Sequence, residues 1–240
     1  MSVEILHGDC RETLKTLPNS CADMVLLDPP HDQWLSAQRV FTEVPRLCTE
    51  GFIVCFCRVS DIPDLLEIGR WERLELFDSL VWHDPQPSFV HFSRVLRTHE
   101  HILVFKSGKP ELPTLKLGAP NADKEPKNKG QSSLGKWRGG QRVYAPADRK
   151  HLTSVLTFAR PLSGPLGRWQ KPSELIRLLI SAYCRNGGTV LDPFAGSGTT
   201  GQVAMEEGRN AILCELNEDY VGLIRKRIDG VTPSLFGRAA

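Results

Sequence analysis

An α/β fold with a doubly wound, mostly parallel sheet is predicted by three observations. Short β-rich runs alternate with helical patterns along almost all of the 240 residues, as strands joined by crossover helices do. The run GFIVCFC, 51–57, is apolar at every position after its glycine, as a strand covered on both faces must be. Towards the C-terminus, GGTVLD, PFAGSGTT and TGQVAMEEG read as strand, glycine-rich loop and helix, the opening of a ligand-binding crossover.

The elements follow in order. VEIL opens as a strand, CRETLKTL is helical, DMVLL is a second strand, and the region around LSAQRVFTEVPRLC is helical again. LELFDSLVW and HILVFKSG, on either side of residue 90, are further strand candidates. From Gly108 to Arg168 the pattern dissolves into Pro, Gly, Lys, Asn and Ser, which predicts a long excursion outside the core. Regular structure resumes at KPSELIRLLISAYC, where Pro172 and Ser173 suit a helix start and Leu175, Ile176, Leu179, Ala182 and Tyr183 share one face. NAILCEL and NEDYVGLIRKRI then read as a strand and a closing helix. A single domain, 1–240, is expected, with 109–168 inserted into it.

Charge is unevenly placed. The chain carries a net +2, yet Lys124 to Lys150 alone holds eight Lys/Arg against two Asp/Glu, which leaves the rest at −4. Seven cysteines form no CxxC pair, and His83, His91, His99 and His101 have no metal-ligand spacing with carboxylates, so neither a disulfide framework nor a metal is expected. With no basic, then apolar N-terminal segment and no run long enough to span a bilayer, a reduced cytoplasmic protein is expected.

In VLDPFAGSGTT, 190–200, Gly196 and Gly198 let backbone N–H groups approach a ligand closely. The loop matches neither GxGxxG nor GxxxxGK[ST], which disfavours a nicotinamide oxidoreductase and a nucleotide phosphate site. Asp192 ends the strand before the loop, and Glu215 ends the next strand 23 residues on, the separation at which an acid meets ribose hydroxyls. Two carboxylates disfavour a phosphate and favour a nucleoside carrying positive charge. S-adenosylmethionine fits, with its adenosine, sulfonium and amino group.

MVLLDPPH, 24–31, stops an apolar strand on Asp28 and locks the next two residues. Prolines 29 and 30 fix φ and offer no N–H, so the Asp28 carboxylate and the Pro29 carbonyl become a rigid pair of acceptors at the sheet edge. Such a pair suits an exocyclic amino group attacking a methyl group in line. Taken alone, Asp-Pro-Pro is more often a plain turn; beside the glycine loop it is not.

LLDPPH, DPFAGSGTT and QKPSELIRLLI, in that order, resemble the amino-group DNA methyltransferases of the β arrangement, in which the catalytic motif precedes the cofactor loop. The resemblance covers nearly the whole chain. It implies a Rossmann-like S-adenosylmethionine-dependent methyltransferase fold with an inserted target-recognition segment, and methylation of adenine N6, or alternatively cytosine N4, in double-stranded DNA. The target base would flip out of the duplex. Implied catalytic residues are Asp28, Pro29, Pro30 and His31. The implied cofactor site is drawn from Asp9, Lys171, Ser173, Asp192, Pro193, Phe194, Gly196, Ser197, Thr199, Glu215 and Asn217. His31 stands where the family usually has Tyr, and GRW precedes Gln170 where it usually has His-Pro-Thr. The histidine prompts a second class, a DNA-binding regulator that keeps the fold without catalysis.

In the family the target-recognition region lies between the catalytic and cofactor motifs, where this chain has its basic insertion. Lys136, Arg138, Gln141 and Arg142 are the expected DNA contacts, through phosphates and base edges. Members often pair as dimers, so a homodimer is a further expectation. With no identifiable nuclease motif, the resemblance implies a solitary methylase of a bacterium or phage, or the partner of a separate restriction enzyme.

Overall fold

A computed structural model describes residues 1–30, 34–85, 98–113, 137–138, 141–142, 153–161 and 170–231. The chain runs β1 (Val3–His7), α1 (Cys10–Thr16), β2 (Met24–Leu27), α2 (Trp34–Phe41), α3 (Val44–Leu47), β3 (Gly51–Cys57), α4 (Ile62–Trp71), β4 (Glu75–His83) and β5 (His99–Ser107). It continues with β6 (Trp137–Arg138), β7 (Gln141–Arg142), β8 (Val155–Thr157), α5 (Ser173–Tyr183), β9 (Thr189–Asp192), α6 (Thr199–Glu206), β10 (Asn210–Glu215) and α7 (Glu218–Asp229).

One sheet takes eight of these strands in the order β1-β10-β9-β2-β3-β5-β4-β8. Only the two pairings of β5 are antiparallel, so the predicted mostly parallel sheet holds. Both faces are covered, and the alternation along single strands shows how. Met24, Leu26, Phe52, Val54 and Phe56 pack on one side with α5 and α6, while Val25, Leu27, Ile53 and Cys55 pack on the other with α1, α2 and α3. Burial of each such side chain contributes about 1.5–3 kcal/mol, which is why β2 and β3 are apolar without a break.

Chain direction places the site. After β2 the chain crosses through α2 on one face to β3, and after β9 it crosses through α6 on the opposite face to β10. The crevice between the carboxyl ends of β2 and β9 is therefore a topological switch point, the place where open α/β sheets bind ligands.

Three departures from the sequence expectations have physical causes. The region expected to be helical around LSAQRVFTEVPRLC is divided into two helices, because Pro45 sits in the first turn of α3 and its ring bars a continuous helix through it. The helix α4 was not anticipated, although Pro63 in its first turn and buried Leu65 and Gly69 mark it. Part of the excursion from 108 to 168 returns to the core: β8 pairs parallel with the β4 edge, Leu156 is buried, and the Trp82 indole donates to the Phe158 carbonyl at 2.8 Å. A three-residue strand in polar surroundings is too short for its periodicity to show.

The seven cysteines are all free thiols, and five of them are buried. No grouping of metal ligands occurs among the described residues, and none of their helices is long and apolar enough to cross a membrane.

Candidate active site

A cleft of about 980 Å³ opens at the switch point, lined by residues from the ends of β1, β2, β9 and β10 and from the segment before α5. Asp28, Pro29 and Pro30 line it together with Asp192 to Ser197, Thr199 and Thr200. The two motifs singled out in the sequence thus share one cavity.

The glycine loop is held from both ends. Gly196 (φ +52°) and Gly198 (φ +80°) take the left-handed backbone that lets the loop turn into α6. Glu215, at the end of β10, accepts from Gly196 N and Asn217 N, each at 2.8 Å. Its carboxylate therefore ties the two ligand-facing loops together. The Asn217 side chain caps α7 by accepting from Asp219 N at 2.8 Å. A Cβ on Gly198 would lie 3.0 Å from Ile224 Cγ1 on α7. Gly198→Ala is accordingly expected to cost about 1–2 kcal/mol, read as a lower Tm in a thermal melt; an unchanged Tm would contradict this packing.

Asp192 is only 3 % exposed, and accepts from Phe194 N at 2.9 Å. Burial pushes its carboxyl up to about 7, against the opposing hydrogen bonds from Thr200 and Phe194, and the nearby Asp28 and Glu215 charges push the same way. A carboxylate poised in this way gains from a bound cation. Asp9 caps α1 through Arg11 N at 2.9 Å. The Arg11 guanidinium grips the same carboxylate and holds it below the usual range.

Asp28 meets a partner the sequence did not foretell. Lys171 Nζ lies 2.7 Å from Asp28 Oδ1 and 3.2 Å from Glu100 Oε2. Lys171 is 9 % exposed while Asp28 keeps 26 % open to the cleft. Burial alone would pull the ammonium down, but Asp28 and Glu100 more than offset it, so its pKa stands above the ordinary lysine value.

Of the residues expected at the cofactor site, Asp9, Lys171, Asp192, Pro193, Phe194, Gly196, Ser197, Thr199, Glu215 and Asn217 all line the cleft. Ser173 is not among the lining residues; it is the first residue of α5. His31 and Lys136 lie outside the described residues. Arg138 pairs with Gln141, and Arg142 with Trp137, between the antiparallel strands β6 and β7. Sequence reasoning missed Glu100, Arg160 and Arg227. The last donates to Thr199 Oγ1 at 2.6 Å and Ser197 Oγ at 3.2 Å, behind the loop; no local motif marks it.

Comparison with known proteins agrees with this geometry. The family model described as DNA methylase, whose name covers N6 and N4 methylation, matches residues 23–226. The chain belongs to this DNA methylase family. The methylase is 25 % identical to the type II methyltransferase M.HinfI of Haemophilus influenzae, over 96 % of this chain and 69 % of that protein. It is 32 % identical to the type II methyltransferase M.SmaI of Serratia marcescens, over 62 % of this chain and 44 % of that one. Its fold is that of M1.HpyAVI, solved as a complex with SAM, with a TM-score of 0.66, 23 % identity, and coverage of 95 % of this chain and 99 % of the other.

Proposed function

We propose that this methylase transfers the methyl group of S-adenosylmethionine to the N6 amino group of adenine in DNA. The observation that carries the reading is the single cleft, with Asp28 and its two prolines facing Asp192 and Glu215. Its described cations, Arg11 and Lys171, are both committed to carboxylates. That donor set fits a cationic nucleoside without phosphates. When bound, S-adenosylmethionine supplies a methyl group already activated on a sulfonium.

The protein's own part is then positional and electrostatic. Asp28 accepts one hydrogen of the target amino group and the Pro29 carbonyl the other, which turns the nitrogen lone pair towards the donor. As the nitrogen gains positive charge, the Asp28 carboxylate stabilises it and receives the released proton. Glu215 is placed for ribose hydroxyls, and Asp192 for the positive end of the cofactor. A base inside a duplex cannot reach Asp28, so the target base leaves the stack and enters the cleft. The basic residues Lys136, Arg138, Gln141 and Arg142 are assigned to the DNA, and His31 to stacking on the flipped base.

Adenine is preferred over cytosine because the motif begins with Asp28, where cytosine N4 members of the resembling group often carry Ser. DNA methylated by the purified protein, digested to nucleosides and weighed by mass spectrometry, is expected to contain N6-methyladenine. N4-methylcytosine alone would replace this reading with the second one.

A further inference from the structure

We infer that Lys171 is a positioning residue for Asp28, seated on a buried ladder of charges that runs Asp28, Lys171, Glu100, Arg160, Asp84. The inference rests on the assignment of Asp28 as the acceptor of the target amino group, and it gives Lys171 a different task from the cofactor contact that the sequence implies.

The geometry is continuous. Lys171 Nζ bridges Asp28 and Glu100 at 2.7 and 3.2 Å. Glu100 pairs in turn with the Arg160 guanidinium, whose Nε lies 2.8 Å from Asp84 Oδ2. Aromatic rings wall the ladder: the ammonium lies 4.8 Å from the Phe56 ring centre and 5.7 Å from that of Trp82, and the Arg160 guanidinium stacks on Trp82 at 4.5 Å. Low polarity beside the charges keeps each pair strongly coupled and makes the arrangement stiff. With its ammonium between two carboxylates, Lys171 has its charge already answered within the protein.

At the cleft end of the ladder, among the described residues, the Lys171 ammonium is shared between two carboxylates, Asp28 and Glu100. Only Asp28 opens to the cleft to a substantial degree, at 26 %. The Asp28 carboxylate is thereby presented where the target nitrogen becomes positive, in a direction that Lys171 fixes. The far rungs come from sheet elements: Glu100 from β5, Asp84 just after β4, and Arg160 just after β8. Docking of β8 on the β4 edge thus completes the support of the catalytic carboxylate, which gives that short strand a function.

The test compares wild type with Lys171→Met, Lys171→Arg and the double variant Lys171→Met/Glu100→Gln, measuring methyl incorporation into DNA at saturating S-adenosylmethionine and cofactor Kd by calorimetry. If wild type transfers no methyl group, the proposed function fails before this inference is reached. With an active wild type, Lys171→Met is expected to lose about 100-fold in kcat with cofactor Kd shifted by less than about threefold. Lys171→Arg should recover part of the rate. The double variant restores the charge count, so it should regain the thermal stability lost by Lys171→Met without regaining activity. Recovery of activity together with stability would reduce Lys171 to a charge balancer, and a large loss of cofactor affinity with kcat intact would return it to the cofactor site; either result overturns the inference. Should Lys171→Met fail to fold, the double variant decides between these outcomes.

Discussion

Asp28→Ala is expected to lower methyl transfer by about 10³-fold while the protein still binds S-adenosylmethionine, because the cofactor wall of the cleft, from Asp192 to Asn217, is left intact. The substitution removes the acceptor that orients the amino group and the charge that answers the developing positive nitrogen, so both effects fall on the chemical step. A second consequence lies in the ladder. Lys171 loses its 2.7 Å partner and keeps Glu100 alone, so a buried cation is left half-paired. Breaking a buried pair costs about 3–5 kcal/mol when nothing replaces the partner, and the open face of Asp28 should bring the loss towards the lower end. Asp28→Asn separates the two consequences. It retains one oxygen for Lys171 but no charge, and turns a donor NH2 towards the target amino group, so its thermal melt should lie between those of Asp28→Ala and wild type while its rate stays far below. Methyl transfer by Asp28→Ala at more than a tenth of the wild-type rate would remove Asp28 from the chemistry.

How far the sequence discloses such a site depends on whether its parts are local. Asp28 with its prolines, and Asp192 with its glycines, are each written in consecutive residues, and their strand–loop placement follows from apolar runs that end on an acid. Glu215 is legible because the spacing of the crossover brings it back to the same edge. Helix α5 is legible from its apolar face, and Leu175, Ile176, Leu179, Ala182 and Tyr183 are indeed buried. The ladder is not legible in this way. Glu100 and Arg160 are 60 residues apart in sequence and meet because β8 pairs with β4, two strands away from β3 across the sheet. Nothing in the polar segment around Val155 signals that pairing, since a three-residue strand has no period to detect. Lys171 shows the same limit from the other side. Its proximity to the cleft is foreseeable from the motif, but the direction of its ammonium is set by Glu100, whose position only the sheet register fixes.

Asp192 makes the binding of a cationic cofactor depend on pH in a direction that can be stated beforehand. Its carboxyl is raised from 3.8 in the unfolded chain to about 7 in the fold, chiefly by burial. Between those values the folded protein holds a proton that the unfolded chain has lost, so this group's contribution to stability is greatest at acid pH, declines as pH rises towards 7, and is level above it. The whole decline is on the order of 4 kcal/mol at most. Asp9 and Glu100 are shifted downward and act in the opposite sense, so the signal sought is the difference between wild type and Asp192→Asn. That variant, lacking the titration, should lose less stability than wild type between pH 5 and pH 8, by about 1 kcal/mol or more. Cofactor binding runs the other way. A sulfonium or ammonium near Asp192 favours the ionised carboxyl, so below about pH 7 binding must expel a proton, and Kd should tighten by up to about tenfold per pH unit before levelling off. Calorimetry at pH 6 in two buffers of different ionisation enthalpy reads the proton directly. Release of about half a proton or more is expected for wild type and little for Asp192→Asn; equal heats in both buffers for the wild type would mean that the positive end of the cofactor lies elsewhere in the cleft.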